Sequence, residues 1–171
     1  MARTLNSHLD KSVTIIVVDD DESIRKTLST VLEEKGYIVD TAENGKEAIE
    51  KSNTKFYNLA LIDVRLPDME GTQLLTAMMK TTPKMVKIML TGFPAMQNAI
   101  DAVNKGADGY ITKPANIDDL LDTIKKHLEK QQETKKYSEE RVTEFIETRV
   151  KELEGHRWKN INLNLKKKKP T

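Results

Sequence analysis

The chain has 171 residues, of which 37% are hydrophobic and 32% charged. That length gives one ordinary domain plus an appendage, or two very small domains, and the polarity places part of the chain outside a core. Cysteine is absent, which excludes disulfides, thiol catalysis and cysteine zinc sites. No apolar run approaches the roughly 18 residues a membrane helix needs. Met1-Ala2-Arg3-Thr4 lacks the apolar stretch of a signal peptide, so a soluble cytoplasmic protein with no membrane partner is expected. The net charge of +1 conceals an asymmetry. Six of the 28 basic residues lie between His156 and Thr171, where there is no acid. The other 22 face 27 acids, so residues 1–155 carry −5.

Five β-rich runs occur in order: Val13–Val18, Ile38–Thr41, Leu59–Ile62, Val86–Leu90 and Gly109–Ile111. Helical spacing lies between them. Ile24, Leu28, Val31 and Leu32 share one face, as do Leu74, Leu75, Met78 and Met79. Ala99, Ile100 and Val103 form a third face, and Ile117, Leu120, Leu121, Ile124 and Leu128 a fourth. Gly36 and Gly106 follow the first and fourth helices, where a left-handed residue ends a helix at low cost. Repeated strand–helix alternation predicts an α/β doubly wound parallel sheet with helices on both faces. Burial on both faces accounts for runs apolar at nearly every position, such as Val13–Val18.

Glu129 to Arg141 is almost wholly polar and rich in helix formers. Val142, Phe145, Ile146, Val150 and Leu153 then return at steps of three and four. This stripe cannot make a core alone and needs a partner. Gly155 is expected to end the helix, and Trp158 to Thr171 to be irregular. The organisation expected is therefore a domain over residues 12–130, a helical extension over 131–155 and a basic tail over 156–171.

Ligands of doubly wound sheets bind beyond the C-terminal strand ends. There the sequence places Asp19, Asp20, Asp21 and Glu22, then Asp63, then Thr91-Gly92, then Thr112-Lys113-Pro114. Clustered carboxylates repel unless a cation is present, and a hard divalent ion such as Mg²⁺ suits oxygen ligands. A hydroxyl and an ammonium would then donate to phosphoryl oxygens, and Asp63 could attack phosphorus. Taken singly, these residues have plain alternatives. Asp19 to Ser23 can cap a helix, with Asp21 and Ser23 the expected caps. Asp63 can be a turn residue, Lys113 a surface lysine and Tyr110 a packing residue. His8, His127 and His156 are isolated. Neither GxxxxGK, GxGxxG nor GxSxG occurs. Met69 and Met96 lie near the strand ends and could face a partner.

Four stretches together resemble the receiver domain of two-component response regulators: IIVVDDDESIRKTL (15–28), LALIDVRLPDMEG (59–71), VKIMLTGF (86–93) and GADGYITKP (106–114). The resemblance spans about residues 12–130 and implies strand order 2-1-3-4-5. It implies that Asp63 is the phosphoacceptor. Mg²⁺ would be bound by Asp19, Asp20, Asp63 and the backbone carbonyl of Arg65. Thr91 and Lys113 would hold the phosphoryl group, with a cis bond before Pro114. Thr91 and Tyr110 would form the switch, and Arg65 and Phe93 would tune phosphoryl lifetime. The implied donor is a sensor histidine kinase, and the implied output is a protein target bound through the fourth helix, fifth strand and fifth helix. The implied reaction is self-catalysed phosphoacceptance with slow autodephosphorylation, not enzymatic turnover.

Two other readings stand beside this one. Aspartate-based phosphohydrolases share the nucleophile and the metal, but Asp63-Val64-Arg65 lacks their second Asp. The chain could instead be part of a longer transcriptional regulator. Homodimers through the fourth- and fifth-helix face or the C-terminal helix are open, and the basic tail could touch nucleic acid.

Overall fold

A computed structural model describes residues 12–78, 84–92 and 96–166, with only the backbone described for 96–98 and 156–166. Five strands form one parallel sheet: β1 (Thr14–Val18), β2 (Ile38–Ala42), β3 (Leu59–Asp63), β4 (Val86–Thr91) and β5 (Gly109–Thr112). Their order is β2-β1-β3-β4-β5, as the resemblance implies. The helices are α1 (Glu22–Glu34), α2 (Gly45–Thr54), α3 (Gly71–Ala77), α4 (Met96–Asn104) and α5 (Ile117–Lys166). The chain divides into two compact units, parting between Gln131 and Gln132.

Alternation along each strand sorts the core into two layers. Ile16, Val18, Ala60, Ile62 and Met89 face one way, onto Ala48 of α2, Leu74 and Leu75 of α3 and Ala102 of α4. Ile15, Val17, Leu59, Leu61, Ile88 and Leu90 face the other, onto Leu28 and Leu32 of α1 and Leu120, Ile124 and Leu128 of α5. Both faces are covered, so β1, β3 and β4 are apolar almost throughout. The exception is Lys87, whose buried Nζ donates to the carbonyl oxygen of Leu75 at 2.6 Å. A cation at the last turn of α3 satisfies a helix-end carbonyl and suits the helix dipole.

Helix ends follow local chemistry. The Asp21 carboxylate accepts from the N–H groups of Ser23 and Ile24, capping α1. Ser23 is thus capped, not a cap. Gly36 and Gly106 take φ of +88° and +98° just past α1 and α4, where a side chain would be strained. The helix α2 had no apolar face assigned from the sequence. It starts at Asn44, whose side chain accepts from Glu47 N–H at 2.8 Å, while the Glu47 carboxylate accepts from Glu43 N–H. Gly155 does not end α5: the backbone stays helical to Lys166. One interior glycine costs only about 1 kcal/mol against Ala, within reach of neighbouring helix formers. Residues 167–171 lie outside the described residues. Among the described residues, no helix is long and apolar enough to cross a membrane.

An acidic residue at the sheet edge makes stability pH-dependent. The Asp40 carboxylate accepts from Lys55 Nζ at 2.7 Å and Tyr57 Oη at 2.6 Å. Burial pushes its pKa up, but the two hydrogen bonds and the Lys55 charge outweigh this and hold it below the ordinary value. A depressed folded-state pKa gives stability that is present above the unfolded value, about 3.9, and lost as pH falls through the folded one. Asp40→Ala is expected to cost about 1–2 kcal/mol at pH 7. Denaturant titrations should show that difference shrinking below pH 4.

Candidate functional site

The strand ends bring together four of the residues the sequence singled out. Asp19 follows β1, Asp63 ends β3, Thr91 ends β4 and Lys113 follows β5. Lys113 Nζ lies 2.5 Å from Asp19 Oδ2 and 3.3 Å from Asp63 Oδ2, bridging two carboxylates. The Asp19 side chain is only 1% exposed. Its other oxygen accepts from Asp21 N–H at 2.9 Å, and its carbonyl accepts from the Arg25 guanidinium at 2.7 Å. Asp19 is therefore fixed on three sides. Asp20, beside it, is exposed.

Asp63 sits at 9% exposure, with Oδ1 accepting from Arg65 N–H at 3.4 Å. Directly behind it runs Gly71, whose N–H donates to Val64 O at 2.7 Å. A Cβ on Gly71 would overlap the Asp63 carbonyl oxygen, so only glycine lets α3 start here. Thr91 is buried, and its carbonyl accepts from Lys113 N–H at 2.6 Å. That bond ties the lysine backbone to the threonine's strand. The Lys113–Pro114 peptide is cis.

Charge at this edge is unbalanced. Carboxylate oxygens of Asp19, Asp20 and Asp63 lie within 4.8 Å of one another, and Lys113 offsets one charge of three. Burial raises the Asp63 pKa, Asp19 raises it further, and Lys113 counters only part of this. Burial alone would lower Lys113, but its hydrogen bond to Asp19 and the two negative charges raise it instead. The ammonium stays charged, and the pocket keeps an excess of negative charge. Its donors are all oxygens, a set that suits a hard divalent cation better than a soft one.

Tyr110 packs half-buried against the α2–α3–α4 layer, with its hydroxyl oxygen buried and without a hydrogen-bond partner among the described residues. An unsatisfied buried hydroxyl costs about 1–3 kcal/mol. Tyr110→Phe is therefore expected to raise stability by about 1 kcal/mol, read as a higher denaturation midpoint; a lower midpoint would show that the hydroxyl has a partner. Met69 is partly buried and packs onto the same layer beside Gly45. Phe93 lies outside the described residues, and Met96 outside the described side chains. The sequence reading passed over Asp68. Its two carboxylate oxygens accept from Gly45 and Lys46 N–H, each at 2.9 Å, linking the β3–α3 loop to the first turn of α2. Twenty-two residues separate the partners, and no local signal announces the contact.

A doubly wound sheet with an acidic pocket and a bridging lysine at its C-terminal edge defines a class of α/β ligand-binding domain. The chain belongs to the response regulator receiver domain family, whose model matches residues 15–125. It is 34% identical over 111 residues to the uncharacterized transcriptional regulatory protein YkoG of Bacillus subtilis (strain 168), covering 65% of this chain and 49% of that one. It is 34% identical over 139 residues to the transcriptional regulatory protein GlrR of Escherichia coli (strain K12), covering 81% and 31%. This chain thus spans half or less of those relatives' length. Among solved structures, it is similar to a CheY-like receiver domain protein from Methanospirillum hungatei JF-1, at TM-score 0.69 and 44% identity. That match covers 72% of this chain and 98% of the other. A Burkholderia pseudomallei response regulator, solved with a phosphorylated aspartic acid, a calcium ion and citrate, matches at TM-score 0.64 and 29% identity, covering 72% of each chain.

Proposed function

We propose that this receiver accepts a phosphoryl group on Asp63 from the phosphohistidine of a sensor histidine kinase. The observation that carries this reading is the bridge of Lys113 between Asp19 and Asp63, inside a pocket with surplus negative charge. Asp19, Asp20, Asp63 and the Arg65 carbonyl would hold Mg²⁺, which neutralises charge on the transferring group. An Asp63 carboxylate oxygen bonds to phosphorus as the phosphorus–nitrogen bond breaks, and the electron pair leaves with the imidazole. Lys113 donates to a phosphoryl oxygen, and Arg65 N–H orients the attacking carboxylate. The related structure with a phosphorylated aspartic acid and calcium supports the same chemistry here.

The product adds about −1.5 to −2 of charge. In this reading the Thr91 hydroxyl turns to the phosphoryl group and Tyr110 follows. The surface formed by α4, β5 and the first turns of α5 changes its affinity for a protein target. Ile100 and Val103 give α4 an exposed apolar pair suited to that contact. Control of transcription belongs to the longer relatives and is proposed here only as a downstream link. Intact mass after incubation with Mg²⁺ and acetyl phosphate tests the reading. One hydroxylamine-labile phosphoryl adduct is expected, absent when Mg²⁺ is chelated. A metal-independent adduct would contradict the site as assigned. Steady turnover of phosphate esters would favour the hydrolase alternative.

A further inference from the structure

The loop that carries Arg65 is a small hairpin. Arg65 pairs with Glu70 in an antiparallel bridge. Gly71 N–H donates to the Val64 carbonyl at 2.7 Å, and Leu66 N–H to the Met69 carbonyl at 3.2 Å. Those two bonds flank the Arg65–Glu70 pair, so the N–H and C=O of Arg65 itself turn out of the hairpin on one side. On that side the Arg65 N–H donates to Asp63 Oδ1 at 3.4 Å. The base of the hairpin is pinned to the sheet, where Val64 N–H donates to the Leu90 carbonyl at 3.0 Å.

The tip, residues 66–69, is held separately. Leu66 and Met69 pack on the core, an attraction without direction. Direction comes from Asp68. Exposed itself, it accepts from Gly45 N–H at Oδ1 and from Lys46 N–H at Oδ2. Asn44 takes the next N–H, that of Glu47, so Asp68 satisfies the part of the α2 terminus that the helix's own cap leaves over. Both bonds are charge-assisted, and a carboxylate at a helix N-terminus gains from the dipole as well. The Met69 side chain occupies the space a Cβ at Gly45 would need, which lets the tip sit this close. We infer that Asp68 is a positioning residue for the metal pocket: its two bonds to α2 hold the hairpin still, keep the Arg65 carbonyl in place and favour Mg²⁺ over Ca²⁺. Mg²⁺ demands near-ideal octahedral geometry, whereas Ca²⁺ accepts a flexible shell, so a loosened carbonyl costs Mg²⁺ more. This assignment rests on the receiver reading of Arg65 and the three carboxylates given above.

The test is an amide NMR titration of the full chain with Mg²⁺ and, separately, with Ca²⁺, which gives each affinity and locates the ion. Asp68→Ala should weaken Mg²⁺ binding about 10-fold, the scale on which partners behind metal ligands act. Ca²⁺ binding should fall by no more than about 3-fold. Asp68→Asn keeps one acceptor oxygen for two N–H donors and should fall between the parent and Asp68→Ala. Asp40→Ala lowers stability through Lys55 and Tyr57, away from the hairpin, and should leave both affinities unchanged. A loss of Mg²⁺ affinity in Asp40→Ala equal to that in Asp68→Ala would show that stability alone is being read, and would overturn the assignment. Equal losses for the two ions in Asp68→Ala would overturn it too. A parent that binds Mg²⁺ at the three carboxylates, with Asp68→Ala unchanged, would overturn the role of Asp68 alone. A parent that binds neither ion would overturn it together with the receiver reading.

Discussion

Asp63→Asn is expected to abolish phosphoryl uptake and, at the same time, to raise the thermal midpoint by roughly 2–5 °C, about 1 kcal/mol in a domain of this size. Both effects come from one carboxylate. Asn offers no anionic oxygen to bond phosphorus, so no adduct can form. The same exchange removes a buried charge that lies close to Asp19 and shares a single lysine with it. Burial and Asp19 raise the Asp63 pKa. For an acid so raised, the ionised form costs stability. That cost is absent below the unfolded pKa and grows as pH climbs through the folded one. The parent should therefore lose stability relative to Asp63→Asn as pH rises from about 4. Mg²⁺ should narrow the gap, because an ion that binds the folded parent more tightly stabilises it more. Melting curves of both proteins across pH, with and without Mg²⁺, read all of this. A variant less stable than the parent at neutral pH without metal would mean that Lys113 already compensates both carboxylates.

Gly71→Ala is the second large effect, expected to cost about 3 kcal/mol and to slow phosphoryl uptake at least about 10-fold. The added methyl would overlap the carbonyl oxygen of Asp63 and touch Met89 Cε. Backbone cannot step aside as a side chain can, so the end of β3 must shift. That end aims the phosphoacceptor. Gly45→Ala provides the contrast. There the three atoms nearest the new methyl all belong to the flexible side chain of Met69, and alanine suits a helix better than glycine. Its net cost should stay under about 1 kcal/mol. Denaturant midpoints separate the two substitutions, and equal midpoints would remove the special role of Gly71.

Strand positions were legible because burial on both faces leaves unbroken apolar runs, as in β1 and β3. The site residues were legible because a parallel sheet collects its strand ends on one edge. Boundaries shifted by a residue or so: Asp63 and Thr91 are the last residues of their strands, not the first beyond them. The helix α2 is short and polar, and its core contact is Ala48, with Ile49 beside it. Asn44 and Glu47, three residues apart, were the available signal for its start. Contacts between distant segments left no trace in local pattern. Asp68 on α2, Gly71 against Asp63 and Lys87 on Leu75 all depend on how layers meet. Gly155 misled because helix propensity is a weak prior, outweighed here by the flanking residues.

The central claim is that Asp63 carries the phosphoryl group. Reductive trapping of the acyl phosphate with borohydride, followed by peptide mapping, tests it most directly. The account expects the reduced product, homoserine, at position 63 alone, and only after incubation with Mg²⁺ and phosphodonor. Trapping at Asp19, at Asp20 or at any other carboxylate in its place would contradict it.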